Sequence, residues 1–295
     1  MKIGVQLPEV ERPISWSEMR DIALTVEDCG FDSIWTGDHL LYRDDRGAVG
    51  PFEAWTTLAA LAEATERVEL GPLVAATSFH APAMIAKFAS TIDDISGGRL
   101  ILGLGAGWNK VEYDAFGFPY DQRVSRFEEA FTIIRTLIRE GVIDHTGEFF
   151  ELREMELRPS ARPDMKILIG SNGPRMLRAT MPYADMWNSW FLGFGNDASG
   201  LGPLNEIVDR ACLDVGRDPS DIERTVAVYM QLDRGTGRRP GDDERTGAAP
   251  IRGSREEMAA ALRAFGDAGI SHVQVVLDPI DAAGVAELAE IKRLV

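Results

Sequence analysis

The sequence predicts a (β/α)8 barrel, a TIM barrel of the α/β class. Eight short apolar runs alternate with eight amphipathic stretches, which implies parallel strands joined by right-handed crossovers. The chain has 295 residues, a length at which one barrel with additions buries a large core without staples. No duplicated segment or linker interrupts the alternation. Such a pattern closes either as an open doubly wound sheet or as a barrel, and eight units favour the barrel. Residues 1–295 therefore read as a single barrel domain.

Taken in order, residues 2–7 form the first strand and Ser15–Cys29 the first helix, capped by Ser15 or Ser17 and stopped by Gly30. Residues 32–36 are a second strand. Residues 51–64 are a helix with Pro51 and Glu53 in its first turn. Residues 68–75 and 82–95 make the third pair, and 99–104 and 125–140 the fourth. Residues 142–157 carry a turn at His145-Thr146-Gly147 between β-favouring residues, and read as a hairpin on the barrel rim. The alternation resumes with 166–169, 174–181, 184–190, 203–215 and 224–232. Residues 233–253 are rich in Gly, Arg, Asp and Pro, and read as a long loop able to act as a lid. Residues 254–268, 271–277 and 282–294 complete the count.

Composition excludes several classes. A formal net charge of −16 repels phosphate backbones, so no nucleic-acid partner is expected. Two cysteines, Cys29 and Cys212, are too few for a disulfide framework. The scattered histidines make no zinc cluster, and no metal is expected. No apolar run reaches the roughly 18 residues of a membrane helix, and the first residues read as a strand, not a signal peptide. A cytoplasmic protein with no membrane partner is the expectation.

In such a barrel, chemistry sits where strands end. That rule selects Gln6, Gly37-Asp38-His39, residues 73–79 and 103–112, Gly170–Gly173, Asn188–Trp190, Gln231 and Asp278. His39 titrates near neutrality and can move a proton beside Asp38. Small residues at 74–76 leave room for a flat ligand. Gly103, Gly105 and Gly107 let a backbone approach a ligand closely, although Gly-x-Gly-x-x-Gly is absent. Gly170-Ser171-Asn172-Gly173-Pro174-Arg175 joins a strand to a helix start, an arrangement suited to an anion, with Arg175 adding charge.

Several stretches together carry a family resemblance. The most specific runs from Ala86-Lys87 through Thr91 and Ser96-Gly97-Gly98-Arg99-Leu100 to Gly103–Trp108 and Glu112. Others are Gly30–Trp35 with Asp38-His39, Arg126-Phe127 with Glu129, Ile169–Gly173, and Ala184–Asn188. Over nearly its whole length the chain resembles the luciferase-like monooxygenase superfamily, and within it the oxidoreductases that use the deazaflavin coenzyme F420. The resemblance implies a coenzyme at the strand ends and a non-proline cis peptide near Leu73-Val74, behind the ring. It implies coenzyme contacts at Asp38, Leu73, Val74, Ala76, Ala106, Gly107 and Glu112, and a phosphate at Gly170, Ser171, Asn172 and Gly173. His39 matches the position that donates or accepts the proton in some members. The segment after the seventh strand matches the luciferase lid.

Two departures qualify the resemblance. Members that oxidise a sugar phosphate carry a glutamate where this chain has Trp108, so that substrate is not implied. An aromatic-Arg-His-Pro stretch is here Phe79-His80-Ala81-Pro82, which leaves His80 without an implied role. The expected chemistry is hydride transfer between F420 and a small organic substrate, with His39 as proton relay. Trp108, Trp187 and Trp190 are candidates for the substrate pocket, together with Trp35 and Phe194. The alternatives are an FMN-dependent monooxygenase using oxygen and a non-catalytic flavin-binding protein. A homodimer is expected from the resemblance.

Overall fold

The computed structural model describes residues 1–44, 47–237 and 248–295. Its strands are β1 (Lys2–Gln6), β2 (Ser33–Thr36), β3 (Tyr42–Asp44), β4 (Gly47–Val49), β5 (Glu69–Pro72), β6 (Ala75–Ala76), β7 (Ile101–Gly105), β8 (Val142–Thr146), β9 (Glu151–Glu156), β10 (Lys166–Gly170), β11 (Met186–Ser189), β12 (Glu223–Gln231) and β13 (His272–Asp278). Its helices are α1 (Trp16–Asp28), α2 (Ala54–Ala64), α3 (Pro82–Ile95), α4 (Lys110–Phe116), α5 (Arg123–Glu140), α6 (Pro174–Thr180), α7 (Gly202–Asp214), α8 (Arg255–Asp267) and α9 (Ala282–Lys292).

The main sheet runs β5-β2-β1-β13-β12-β11-β10-β7-β6, all parallel. β5 and β6 are two halves of one barrel strand. The first half pairs with β2 and the second with β7, and a parallel bridge from Leu70 to Leu100 completes the ring. The fold is thus the (β/α)8 barrel expected from the alternation. The peptide between Leu73 and Val74 is cis, at the break between the halves, where the resemblance placed such a bond.

Local chemistry explains most element boundaries. Ser15 caps α1 by accepting from the Glu18 N–H, and Gly30 takes the left-handed conformation after it. Ser254 and Glu257 form a reciprocal capping box on α8. The second helix starts later than expected. Glu53 is its cap, accepting from Trp55 and Thr56, and Pro51 lies outside it. The hairpin over 142–157 is present as β8–β9. Two elements had no sequence expectation, the β3–β4 hairpin after β2 and the short helix α4. Of the expected loop, residues 238–247 lie outside the described residues. Its beginning is held by Asp278, whose Oδ2 accepts from Gln231 Nε2 at 2.9 Å and from the Gly237 N–H at 2.7 Å.

The glycines of β7 have a role other than admitting a ligand. A Cβ on Gly103 would stand 2.1 Å from the Pro72 carbonyl oxygen, and one on Gly105 would stand 2.7 Å from Val74 Cγ2. A Cβ on Gly170 would meet the same Val74 side chain at 2.8 Å. These glycines therefore make room for the broken third strand. Gly103→Ala should destabilise by about 1–3 kcal/mol, because a backbone oxygen cannot turn away as a side chain can. Urea unfolding would measure it, and an unchanged midpoint would remove the close packing from the account.

Several of the most specific sequence stretches turn out to be braces. Gly97 and Gly98 both have positive φ, and the turn they make brings Arg99 round to donate to the carbonyls of Ala62, Thr65, Val68 and Ser96. Glu129 accepts from the N–H groups of Glu148, Phe149 and Phe150 and meets His145, which fastens the rim hairpin to α5. Asp185 accepts from the Ile167 N–H and from Arg139. Inside the barrel, Ser33 joins the Trp35 indole to His272, and burial pushes that imidazole down to about 3, so it stays neutral.

Candidate functional site

The end of β2 delivers Asp38 and His39, and α4 delivers Glu112 beneath them. Glu112 is completely buried. Its Oε2 lies 3.0 Å from His39 Nδ1, and its Oε1 accepts from the Leu40 and Leu41 N–H groups. A carboxylate that takes two backbone N–H groups at one oxygen is fixed in place. It then holds the imidazole through Nδ1, the nitrogen that donates when Glu112 is ionised.

His39 Nε2 faces a second buried acid. Glu9, 6% exposed, has Oε1 3.9 Å from Nε2 and also accepts from Tyr42 at 3.2 Å. Burial works against the imidazolium, but Glu9, the Glu112 hydrogen bond and Asp38 outweigh it and hold His39 above its ordinary value. A raised value means that His39 favours the folded state fully below its unfolded pKa. That contribution fades as pH rises through the folded one. Trp108 stands edge-on to the imidazole, ring centres 5.6 Å apart.

Asp38 is 4% exposed. Its Oδ2 accepts from the Ala76 N–H at 2.8 Å, which ties β2 to β6, and its Oδ1 has no partner among the described residues. Burial pushes its carboxyl up to about 7. Gln6 Oε1, Thr36 Oγ1 and Asn172 Oδ1 are likewise buried and unpartnered. All four atoms belong to residues at or just beyond the ends of β1, β2 and β10. Buried polar atoms are nearly always paired, so these four at one end of the barrel mark it as a candidate binding site. Amide, hydroxyl and carboxyl groups in that set suit the alternating N–H and C=O edge of a flavin or deazaflavin ring.

The other expected residues lie on or just beyond β5, β6, β7 and β10. Leu73 and Ala76 are buried, and Val74 is half-buried against Gly103, Gly105 and Gly170. Ala106 carries its carbonyl to the Tyr113 hydroxyl at 2.8 Å, and Gly107 packs over that phenol. Ser171 accepts from the Gly173 N–H, and Asn172 donates to Ser189. Arg175, expected to add positive charge there, is instead exposed and paired through two nitrogens with Glu128.

The aromatic expectations divide. Trp108 is 46% exposed at the rim and Trp190 is half-buried. Trp187 has no exposed surface and donates its indole N–H to the Ser171 carbonyl, and Trp35 and Phe194 are also buried. These three belong to the core and are withdrawn as pocket residues. Trp35 and Trp187 lie on β2 and β11, where alternate residues face inward or toward the helices, and Phe194 lies beyond β11 with its ring edge-on to Phe265 of α8. Sequence reasoning missed Glu9 and Tyr42. Glu9 lies three residues past β1, and the only signal for it was an acid close to a strand end.

Buried acids, an imidazole and unpaired amide oxygens thus converge at the strand C-termini of a parallel α/β barrel. The chain belongs to the luciferase-like monooxygenase family, whose model matches residues 1–236. It is 34% identical over 227 residues to pyrimidine monooxygenase RutA of Rhizobium rhizogenes, covering 72% of this chain and 60% of that one. It is 30% identical over 228 residues to the F420-dependent glucose-6-phosphate dehydrogenase of Intrasporangium calvum, covering 75% of this chain and 67% of that one. The chain spans about half to two-thirds of the length of the curated relatives it matches. Among solved structures, an F420-dependent secondary alcohol dehydrogenase in complex with an F420-acetone adduct superposes with a TM-score of 0.82 at 20% identity, covering 98% of this chain and 97% of that one. Among the described residues, no helix is long and apolar enough to cross a membrane.

Proposed function

We propose that this chain is an oxidoreductase that binds coenzyme F420 at the strand C-termini and works on a small organic substrate. The observation that carries the reading is His39 held between Glu112 and Glu9, beside four buried polar atoms without partners. Gln6, Thr36, Asp38 and Asn172 would hold the polar edge of the ring, and Val74 would back its face. Gly170–Gly173 would take the phosphate. When bound, the deazaflavin supplies the carbon that gives or takes the hydride. His39 gives or takes the accompanying proton at Nε2, while Glu112 keeps Nδ1 protonated. Glu9 and Glu112 act through His39 and are positioning residues. Trp108 and Trp190 stand at the rim where substrate enters.

A second reading has an observation of its own. The family description and the RutA relative both name monooxygenases, which favours FMN and oxygen at the same site. Titration of the purified chain with F420 and, separately, FMN distinguishes the two by fluorescence. Micromolar binding of F420 with weak binding of FMN is the expected result, and preference for FMN would replace the first reading by the second. With the preferred coenzyme, His39→Ala should lose turnover, by about 10²–10⁴-fold as for other general acid–base groups, and keep coenzyme affinity. Retained turnover with an unchanged pH profile would remove His39 from the chemistry.

A further inference from the structure

Beyond the end of β6 lies a cavity of about 290 Å³ that uses none of the groups assigned above. Phe79, Phe118, Pro119 and Phe150 are among the residues that line it. Three polar side chains of its lining, Thr77, Ser78 and Arg126, each have a buried atom without a partner among the described residues. Thr77 is 1% exposed, and its hydroxyl oxygen makes no hydrogen bond. Arg126 has a buried Nε that is also unpartnered, and its guanidinium lies over the Phe149 ring, 4.4 Å from the centre. Among the described residues no carboxylate pairs with Arg126, on a molecule of net charge −16. His80 adds no second charge, because burial lowers its imidazole below the ordinary value.

From this cavity we infer that the chain holds a binding site for a small organic carboxylate with an apolar, ring-sized body. Arg126 offers its planar fork to the two carboxylate oxygens, a geometry that ammonium groups do not match. Thr77 donates its hydroxyl to one of them. The phenyl rings and Pro119 take the body of the acid, which inorganic anions lack. Thr77 directly follows Ala76, whose N–H is held by Asp38. The carboxylate end is thereby anchored one residue from the Asp38–Ala76 contact. The site is independent of which coenzyme the barrel binds, or whether it binds one.

The test is calorimetric titration of the chain without coenzyme, using benzoate, benzyl alcohol and inorganic phosphate as probes. Benzoate should bind with a millimolar or lower Kd, at least about tenfold more tightly than benzyl alcohol. Arg126→Met should weaken benzoate by about tenfold or more, and Thr77→Val should weaken it by less. Arg135→Met is the control. It removes a cation that stacks on Tyr183 from the same helix and should leave benzoate binding unchanged. Thermal melts of each variant show that it is folded. Equal binding of benzoate and benzyl alcohol, binding of phosphate without benzoate, absence of any binding, or full benzoate affinity in folded Arg126→Met would each overturn the site.

Discussion

Glu112→Gln should leave the barrel folded and lower turnover by about 10²–10⁴-fold, the range associated with a misplaced general acid–base group. The amide oxygen can keep the Leu40 and Leu41 N–H bonds, since both fall on one carboxylate oxygen. The amide nitrogen then faces His39 Nδ1 where Oε2 stood. Two N–H groups cannot share that contact, so the imidazole becomes the acceptor and its proton moves to Nε2. The loss of Glu112's charge and hydrogen bond also removes part of what holds His39 above its ordinary value. The pH at which a His39-acid step fails on the alkaline side should therefore move down in Glu112→Gln. Glu112→Ala is the harsher change. It strands three donors in a buried place and should cost about 3–5 kcal/mol of stability. Turnover and coenzyme affinity measured together across pH decide the matter. Unchanged kcat in folded Glu112→Gln would make the clamp a structural device alone.

Asp38→Asn should stabilise the chain at neutral and alkaline pH. Below the unfolded carboxyl value of 3.8, Asp38 is protonated whether the chain is folded or not, and its ionisation has no effect on stability. Between 3.8 and about 7 the unfolded chain releases the proton and the folded chain keeps it. Stability therefore falls through that window as pH rises. The accumulated loss is about 4 kcal/mol, at roughly 1.4 kcal/mol per pH unit. Asparagine carries no such charge, and its carbonyl can still accept from the Ala76 N–H. Denaturant unfolding of both proteins at pH 4, 6 and 8 should show a difference that grows with pH. A difference that stays flat would mean that Asp38 ionises in the barrel much as it does in water.

Strand–helix alternation made the barrel legible because each period requires a different backbone, and the cap at Ser15 and the stop at Gly30 marked the ends of α1 by simple hydrogen-bond and backbone chemistry. The Asp38-His39 pair was legible as strand-end chemistry. Glu112 was legible as the last residue of a strand-end segment and through resemblance, but its work as a clamp on His39 depends on α4, a seven-residue helix too short to show a period. Glu9 and Tyr42 were missed because partners that meet across a barrel mouth leave no mark in sequence spacing. Trp187 misled for the opposite reason. A tryptophan near a strand end reads the same whether its side chain turns toward the mouth or into the core. The Ser96–Arg99 stretch helped to identify the family while acting as a brace between α2 and the sheet. The residues that carry a resemblance need not be the ones that carry the chemistry.

The break in the third barrel strand has a consequence for descent. Val74 fills space that Gly103, Gly105 and Gly170 leave open on two neighbouring strands. A methyl group added at Gly105 or Gly170 collides with it, so neither glycine is free to drift alone. A lineage could exchange Gly105 for alanine once Val74 had become smaller, and the reverse step would then be closed to it. Two scattered codons are tied in this way to a third, and paired changes, Val74→Ala with Gly105→Ala, should survive where the single glycine change does not.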